Sequence, residues 1–198
     1  MKQAKSNGRS ERRDAAENRQ RILDVAFTLF ELQGVEDVSM NQIAAEAQIG
    51  SGTLYRRYHN KSELCMDLIK DSKELLFEDI EVYQEENAAR PPAERLRGLL
   101  ALFIKFKEKN AQLLAGIENS FSSGAQSRTE SPLYIELHEL VVRLFEEMAA
   151  QNGDPQPDSV FRTDMLLTAL SSNSYLFQKN MRGLSPESIL EQLCQTFI

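Results

Sequence analysis

Two short helical patterns, separated by a break at residues 48–50, most strongly limit what this chain can fold into. The first pattern covers residues 39–47 and opens with a capping box that begins at Ser39. The second covers residues 51–58. Neither segment is long enough to be a stable helix in isolation, so both must pack against neighbouring structure. An amphipathic helix predicted over residues 16–33 precedes them and can supply that support.

The apolar positions of the two short segments predict how they pack. Ala44 and Ala47 are small, which lets the two helices approach closely, and Ile49 lies in the turn between them. Leu54 and Tyr58 lie four residues apart, on one side of the second helix, and are predicted to be core residues. This arrangement predicts a helix-turn-helix, a motif whose second helix enters the major groove of duplex DNA.

The outward side of the second helix carries groups suited to nucleic acid. Arginine can bind guanine O6 and N7 with two hydrogen bonds, and hydroxyl groups suit phosphate oxygens. The alternatives are that Arg56 and Arg57 only solvate a helix face and that His59 is a surface histidine. The predicted DNA-binding residues are Ser39, Asn41, Ser51, Gly52, Thr53, Tyr55, Arg56, Arg57, His59 and Lys61.

The charge of the chain is unevenly distributed. The net charge of the whole chain is -7, but residues 1–65 hold ten Lys and Arg against nine Asp and Glu, a net charge of +1. Residues 66–198 hold thirteen against twenty-one, a net charge of -8. Residues 1–15 are expected to form a flexible basic arm that either lies along phosphates or stays solvated. The charge is therefore compatible with DNA binding by residues 16–65.

The remaining pattern predicts an all-α protein of about nine helices with no confident strand. Residues 66–198 are expected to form a helical bundle that serves ligand sensing and dimerisation. Beyond the three N-terminal helices, the periodicity and the Pro and Gly breaks predict helices over residues 61–86, 92–108, 110–117, 132–151, 158–181 and 185–198.

The N-terminal third of the chain resembles the TetR family of bacterial transcriptional regulators. The resemblance is carried by RILDVAFTLFELQG, by SMNQIAAEAQIGSGTLYRRYHNKSEL and by the layout that follows. It implies that Thr53, Tyr55 and Lys61 hold phosphates. It also implies that Ser51, Gly52, Arg56 and Arg57 face bases or flanking phosphates. The sequence departs from the family pattern at several positions, notably at Gln48, where glycine is frequent.

The resemblance also implies a ligand and a second subunit. A small apolar ligand would lie among aromatic side chains with polar tips, and a homodimer would form through the last two helices and recognise palindromic DNA. The same apolar stripes could instead be ordinary core. The predicted ligand contacts are Phe103, Phe106, Phe121, Tyr134 and His138. The predicted interface residues are Met165, Leu166, Ala169, Leu170, Leu176, Phe177, Leu190 and Leu193.

Other classes of function have little support in the sequence. Cys65 and Cys194 have no CxxC spacing, and two cysteines and two histidines make no convincing zinc site, so we expect buried thiols, no metal and no cofactor. No apolar run reaches the length of a membrane span, which favours a cytoplasmic protein.

The predicted function is a ligand-responsive repressor. The alternatives are a constitutive DNA-binding factor without an inducer and, with less support, a helical-bundle enzyme.

Overall fold

All of the regular structure is helical in the computed structural model of the chain, which describes residues 4–122, 131–151 and 158–198. Side chains are described over residues 16–118, 131–151 and 158–198. Within these residues no strand occurs, so the predicted all-α class is confirmed. The chain divides into two compact units, residues 1–69 and residues 70–198, which we call the N-terminal unit and the C-terminal unit.

The N-terminal unit consists of four helices around one small core. Side chains from all four helices are almost fully buried in it, including Ile22, Ala26, Phe30, Ile43, Leu54 and Leu64. Because each short helix contributes a residue to this core, its stability comes from tertiary packing. The helices are α1 (Ala4–Gln33), α2 (Met40–Glu46), α3 (Ser51–Arg57) and α4 (Lys61–Leu68).

The C-terminal unit packs six α-helices around a longer apolar core. Leu96, Leu99, Val141, Phe145 and Leu166 are all 1 % exposed or less. A five-residue π-helical segment, Phe177–Met181, follows the ninth helix directly. The helices are α5 (Lys70–Glu86), α6 (Pro92–Ser122), α7 (Pro132–Gln151), α8 (Ser159–Ala169), α9 (Ser172–Leu176) and α10 (Pro186–Phe197).

Three helix boundaries differ from those predicted. Helix α1 begins at Ala4, before the expected residue 16. The predicted helix over 61–86 is two helices, because α4 ends at Leu68 and Ile69 (φ -91°, ψ -1°) forms its C-cap before α5 begins at Lys70. The predicted helix over 158–181 is interrupted after α8, where the Ser171 hydroxyl caps α9 by accepting a hydrogen bond from the Ser174 N–H. One rigid helix therefore does not run from Lys61 to residue 86.

Helix α6 is bent at Asn110, where two separate helices were predicted. Asn110 has φ -120° and ψ 16°, which is outside the helical range. Its side-chain Nδ2 donates a 2.9 Å hydrogen bond to the Phe106 carbonyl oxygen. Since Asn110 is only 5 % exposed, this bond satisfies polar groups that water does not reach. The two helices predicted on either side of Asn110 therefore meet at a kink at this residue, which confirms the predicted break.

Both thiols are buried, as predicted. Cys65 and Cys194 are unpaired and are 0 % and 9 % exposed. Burial raises the pKa of the Cys65 thiol to about 12 and also raises that of Cys194. Both groups therefore stay protonated at neutral pH and behave as small apolar side chains.

Candidate nucleic-acid interface and pocket of the C-terminal unit

Helix α2 is capped through half of the predicted capping box. The Ser39 hydroxyl accepts a 3.1 Å hydrogen bond from the Gln42 N–H, as the sequence indicates. The Gln42 side chain does not return to Ser39; its Nε2 donates instead to Gln33 Oε1, at 3.1 Å. Gln42 thus links the start of α2 to the end of α1. Ser39 and Asn41 are exposed beside this cap.

The turn between α2 and α3 contains the one strained residue of the motif. Gln48 has φ 54°, in the left-handed region that glycine adopts without strain. Gln48 is also exposed, so its side chain adds no packing that would offset the strain. Helix α3 then starts after Gly50, which has no side chain to cap it. The tight turn therefore depends on the packing of the two helices rather than on favourable turn residues.

Helix α3 has one buried side and one exposed side. Leu54 is fully buried and Tyr58, at the end of the helix, is 5 % exposed, which confirms both as core residues. The predicted DNA-binding residues of this helix are all exposed: Ser51, Gly52, Thr53, Tyr55, Arg56 and Arg57. The buried side fixes the helix on the core and leaves two guanidinium groups and three hydroxyl groups facing outward.

Three side chains distant in sequence fix the end of α3. Tyr58 donates its hydroxyl hydrogen to Asp67 Oδ2, with the oxygens 2.5 Å apart. Arg19 from α1 binds both carboxylate oxygens of Asp67, at 2.9 Å and 2.5 Å. Burial and the Asp67 carboxylate raise the pKa of Tyr58 to about 12. This cluster joins α1, the end of α3 and α4.

Lys61 takes a position that the sequence does not reveal. Its ammonium group donates hydrogen bonds to the carbonyl oxygens of Val35 and Glu36, at 2.6 Å and 2.9 Å. Both carbonyls lie in the connection between α1 and α2. A phosphate contact by Lys61 would have to compete with these two bonds. Its placement therefore indicates a structural role in the N-terminal unit.

Replacing Lys61 with Met is expected to destabilise the N-terminal unit by about 1 kcal/mol, because two carbonyl groups lose a charged donor. Because Lys61 then supplies no phosphate contact, operator affinity and its salt dependence should both stay close to those of the wild type. Chemical denaturation and DNA titrations at several salt concentrations measure both. A salt slope reduced by about one would show that Lys61 contacts a phosphate instead.

His59 lies outside α3 and is paired with Glu63. Its ring Nδ1 lies 3.0 Å from Glu63 Oε2, and its backbone N–H donates to the same oxygen at 2.8 Å. The backbone hydrogen bond is the main reason that the pKa of Glu63 is lowered. The His59 side chain is 78 % exposed, so it remains accessible at the edge of the exposed side of α3.

The C-terminal unit contains a small pocket with two of the predicted ligand contacts. Phe103 and Tyr134 line this pocket, whose volume is about 70 Å³. Phe106 lines a separate groove with Leu75 and Leu76. His138 stacks on Tyr134 at a ring distance of 5.5 Å and lies 3.2 Å from Asp164, which also accepts a hydrogen bond from the Tyr134 hydroxyl. Phe121 lies outside the residues whose side chains are described.

Lys107 and Glu118 line the pocket and both bond to Ser172, which is not itself part of the lining; the sequence did not single out Lys107 or Glu118 as ligand contacts. Lys107 on α6 is 2 % exposed, and its Nζ donates to the Ser172 hydroxyl at 3.1 Å. Glu118, further along α6, accepts hydrogen bonds from the Ser172 N–H and hydroxyl, both at 2.8 Å. Lys107 Nζ lies 3.8 Å from the Glu118 carboxylate. The rest of the pocket is mainly apolar, with Leu114, Ile117, Leu133, Leu137, Leu167 and Leu170.

The predicted interface residues do not share one environment. Leu166, Leu170 and Leu193 are between 0 % and 9 % exposed, so their side chains pack within their own unit. Ala169, Leu176 and Leu190 are half-buried. The exposed members are Met165 at 42 % and Phe177 at 46 %, and the exposed apolar residues Val160, Phe161 and Met181 lie on the same two elements. The exposed apolar side chains among and beside the predicted interface residues thus lie on α8 and the π-helical segment.

Comparison with known proteins identifies the family. A model of bacterial regulatory proteins of the tetR family matches residues 22–67. An HTH-type transcriptional regulator of Staphylococcus aureus strain USA300 is 34 % identical over 187 residues, which cover 94 % of this chain and 96 % of that protein. The chain belongs to the TetR family.

Solved structures of TetR-family proteins share the fold. A TetR-family repressor of Thermus thermophilus, FadR, determined with lauroyl-CoA, has a TM-score of 0.63 and 18 % identity, and the match covers 90 % of this chain and 92 % of FadR. A TetR/AcrR-family regulator of Thermobifida fusca has a TM-score of 0.59 and 22 % identity, with 91 % and 96 % covered. These structures support the fold, and the family model together with the Staphylococcus aureus relative shows that this chain is a TetR-family DNA-binding transcriptional regulator.

Two findings concern the metal sites and the membrane spans considered in the sequence analysis. Over the described parts of the chain, no group of three or more His, Cys, Asp or Glu residues could hold a metal ion. None of the helices in those parts is long and apolar enough to cross a membrane. The family is one of transcriptional regulators rather than enzymes.

Proposed function

We propose that the protein is a homodimeric, cytoplasmic repressor that binds a palindromic operator through α3 and is released by a small, largely apolar ligand. The division of α3 into a buried and an exposed side is the observation that supports this most directly. Since Leu54 and Tyr58 anchor the helix, Arg56 and Arg57 can extend into a groove without disturbing the core. Exposed Thr53 and Tyr55 would then supply hydroxyl groups to phosphates.

Selection of binding sites from random duplex DNA with the purified protein tests the operator proposal. A two-fold dimer should select a sequence with two inverted half-sites, separated by about one helical turn or a multiple of it. A single half-site, or no enriched sequence, would contradict the proposal.

Replacing Arg56 or Arg57 with Ala is expected to weaken binding to the selected operator by about 1–3 kcal/mol and to relax base preference at one position of each half-site. Repeating the selection with each variant measures both effects. Arg90→Ala is the matched control, because Arg90 is an exposed arginine of the C-terminal unit that pairs with Glu94. If both α3 variants bind as tightly as the control, α3 does not read bases.

The small pocket lined by Phe103 and Tyr134 supports the proposed ligand response. Its lining combines an apolar majority with a few polar groups, as small-molecule sites do. The ligand complex of the structurally similar FadR adds support, since that protein binds lauroyl-CoA. At about 70 Å³ the pocket is smaller than the roughly 150 Å³ cavity that accepts benzene, so a larger ligand requires side chains to move.

The ligand must bind the two states of the repressor with different affinity to release DNA. A tenfold loss of operator affinity corresponds to about 1.4 kcal/mol of coupling between ligand and DNA. A compound that stabilises the protein and leaves operator affinity unchanged would favour the constitutive DNA-binding factor. The enzyme alternative has the least support, because the family is one of transcriptional regulators.

A further inference from the structure

The polar end of the pocket already holds a carboxylate, that of Glu118. Its two oxygens accept hydrogen bonds from the Ser172 hydroxyl and from the Ser172 N–H, both at 2.8 Å. The Lys107 ammonium group lies 3.8 Å from the same carboxylate. Glu118 thus shows how a carboxylate is bound at this point, with one positive charge and two hydrogen-bond donors around it.

Lys107 is buried at an unusual place for a lysine. It is 2 % exposed, and its ammonium group lies 5.5 Å from the centre of the Phe103 ring. An ammonium group removed from water is costly unless charged and polar partners surround it, so it strongly favours an acceptor. Lys107 and Glu118 lie on opposite sides of the Asn110 bend of α6, and both line the pocket.

We propose that the pocket binds a small apolar molecule with one carboxylate, whose head group replaces the Glu118 carboxylate on Lys107 and Ser172. The apolar part of the ligand would lie against Phe103, Leu114 and Leu137. This proposal specifies the chemical class of the ligand that is proposed above to release the operator. Its role in regulation rests on that proposed function.

The chemistry of the pocket end favours an acid over an amine. A ligand carboxylate finds three donor groups: the Lys107 ammonium, the Ser172 hydroxyl and the Ser172 N–H. The one carboxylate that lines the pocket, that of Glu118, already accepts hydrogen bonds on both oxygens, and the Lys107 charge lies 3.8 Å from it, so a ligand ammonium would be placed beside a second cation. Repulsion between two buried cations opposes that mode.

Displacement of Glu118 would also change how α6 is held. Glu118 connects the last part of α6 to the start of α9 through Ser172. A bound acid would take over the bonds from Ser172 and remove this connection between the two helices. Ligand binding would therefore replace the hydrogen bonds between Glu118 and Ser172 with bonds between the ligand and Ser172. The link between α6 and α9 would be lost as a direct result of binding.

Probes that share a carbon skeleton test the proposal on the intact protein. Butyrate, butyramide and butylamine differ only in the head group, and hexanoate extends the apolar part. Dissociation constants are measured by NMR titration and by the rise in melting temperature. The acids should bind at least tenfold more tightly than the amide and the amine, since a hydrogen bond to a charged group is worth more than a neutral one.

Two variants then separate the roles of Lys107 and Glu118. Lys107→Met retains the length of the side chain and should weaken acid binding at least tenfold. Glu118→Gln removes the competing charge and should strengthen acid binding by about tenfold. Ser188→Ala, an exposed serine on α10, is the matched surface control and should leave acid binding unchanged.

Several outcomes would overturn the proposal. If the wild type binds butyrate and butyramide equally well, the proposal is wrong whatever the variants do. It is also wrong if the wild type prefers butylamine and Glu118→Gln abolishes that preference. Acid binding that is unaffected by Lys107→Met in a folded variant would place the ligand elsewhere. Operator affinity is measured in the same samples: a protein that binds acids yet does not release DNA contradicts the proposed ligand response while leaving this inference intact.

Discussion

Phe161→Glu is expected to convert the protein from a dimer to a monomer and to reduce operator affinity at least about 100-fold. Phe161 is 59 % exposed on α8, and Met165 lies one helical turn further along at 42 %. A glutamate buried in an apolar subunit interface would leave an unpaired charge. A monomer contacts one half-site only, so it loses the second set of contacts. Light scattering and operator titration measure the two effects.

Val82→Glu is the matched control for this variant. Val82 is an exposed apolar residue at 53 %, but it lies on α5, apart from the elements that carry Phe161 and Phe177. The Val82→Glu variant should stay dimeric and bind the operator with the affinity of the wild type. If Phe161→Glu also stays dimeric, subunit association does not use α8, and the proposed interface must be abandoned.

Asp67→Ala is expected to destabilise the N-terminal unit by about 2–3 kcal/mol. The carboxylate accepts two hydrogen bonds from Arg19 and one from Tyr58, so its loss leaves a guanidinium and a partly buried hydroxyl without their acceptor. Tyr58 ends α3, and the position of the exposed arginines should therefore become less defined. Operator affinity is expected to fall together with stability.

The effect of Asp67→Ala is measured by comparing hydrogen exchange in the N-terminal unit with hydrogen exchange in the C-terminal unit. Hydrogen exchange resolved along the chain should show faster exchange over residues 16–69, with residues 70–198 close to the wild type. Asp24→Ala is the control, because Asp24 is an exposed acid of α1 that accepts its hydrogen bond from Gln20. Unchanged exchange in α3 would mean that the Arg19–Asp67–Tyr58 cluster does not fix this helix.

The short helices could be predicted from the sequence because their signals are local. The Ser39 cap, the breaks at Gly34 and Gly50 and the four-residue spacing of Leu54 and Tyr58 each involve neighbouring residues. The periodicity of α3 then determines which side chains are exposed. The exposed side of the candidate interface could therefore be predicted without coordinates.

Contacts between distant residues could not be predicted in the same way. Arg19 and Asp67 are 48 residues apart, and Lys61 reaches carbonyl groups 25 and 26 residues away. No spacing rule connects such pairs. Lys61 therefore looks like a phosphate contact in the sequence, although in the structure its ammonium group is bonded to the backbone.

Apolar stripes also leave open which surface they contact. Leu166, Leu170 and Leu193 form stripes that suit a subunit interface, yet they fill the core of their own unit. The break at Ile69 carries no Gly or Pro signal at all. In each case the partner of the side chain, which only the folded structure defines, decides the outcome.

The left-handed Gln48 gives a practical route to redirecting the regulator to a new operator. Substitutions at Arg56 and Arg57 that alter base preference commonly cost stability, and a small four-helix unit has little to spare. Glycine at position 48 would relieve the strained backbone at an exposed site and stabilise the turn by up to about 1 kcal/mol. Variants with changed specificity are therefore best sought in a Gln48→Gly background, where the turn tolerates more change in the helix that follows it.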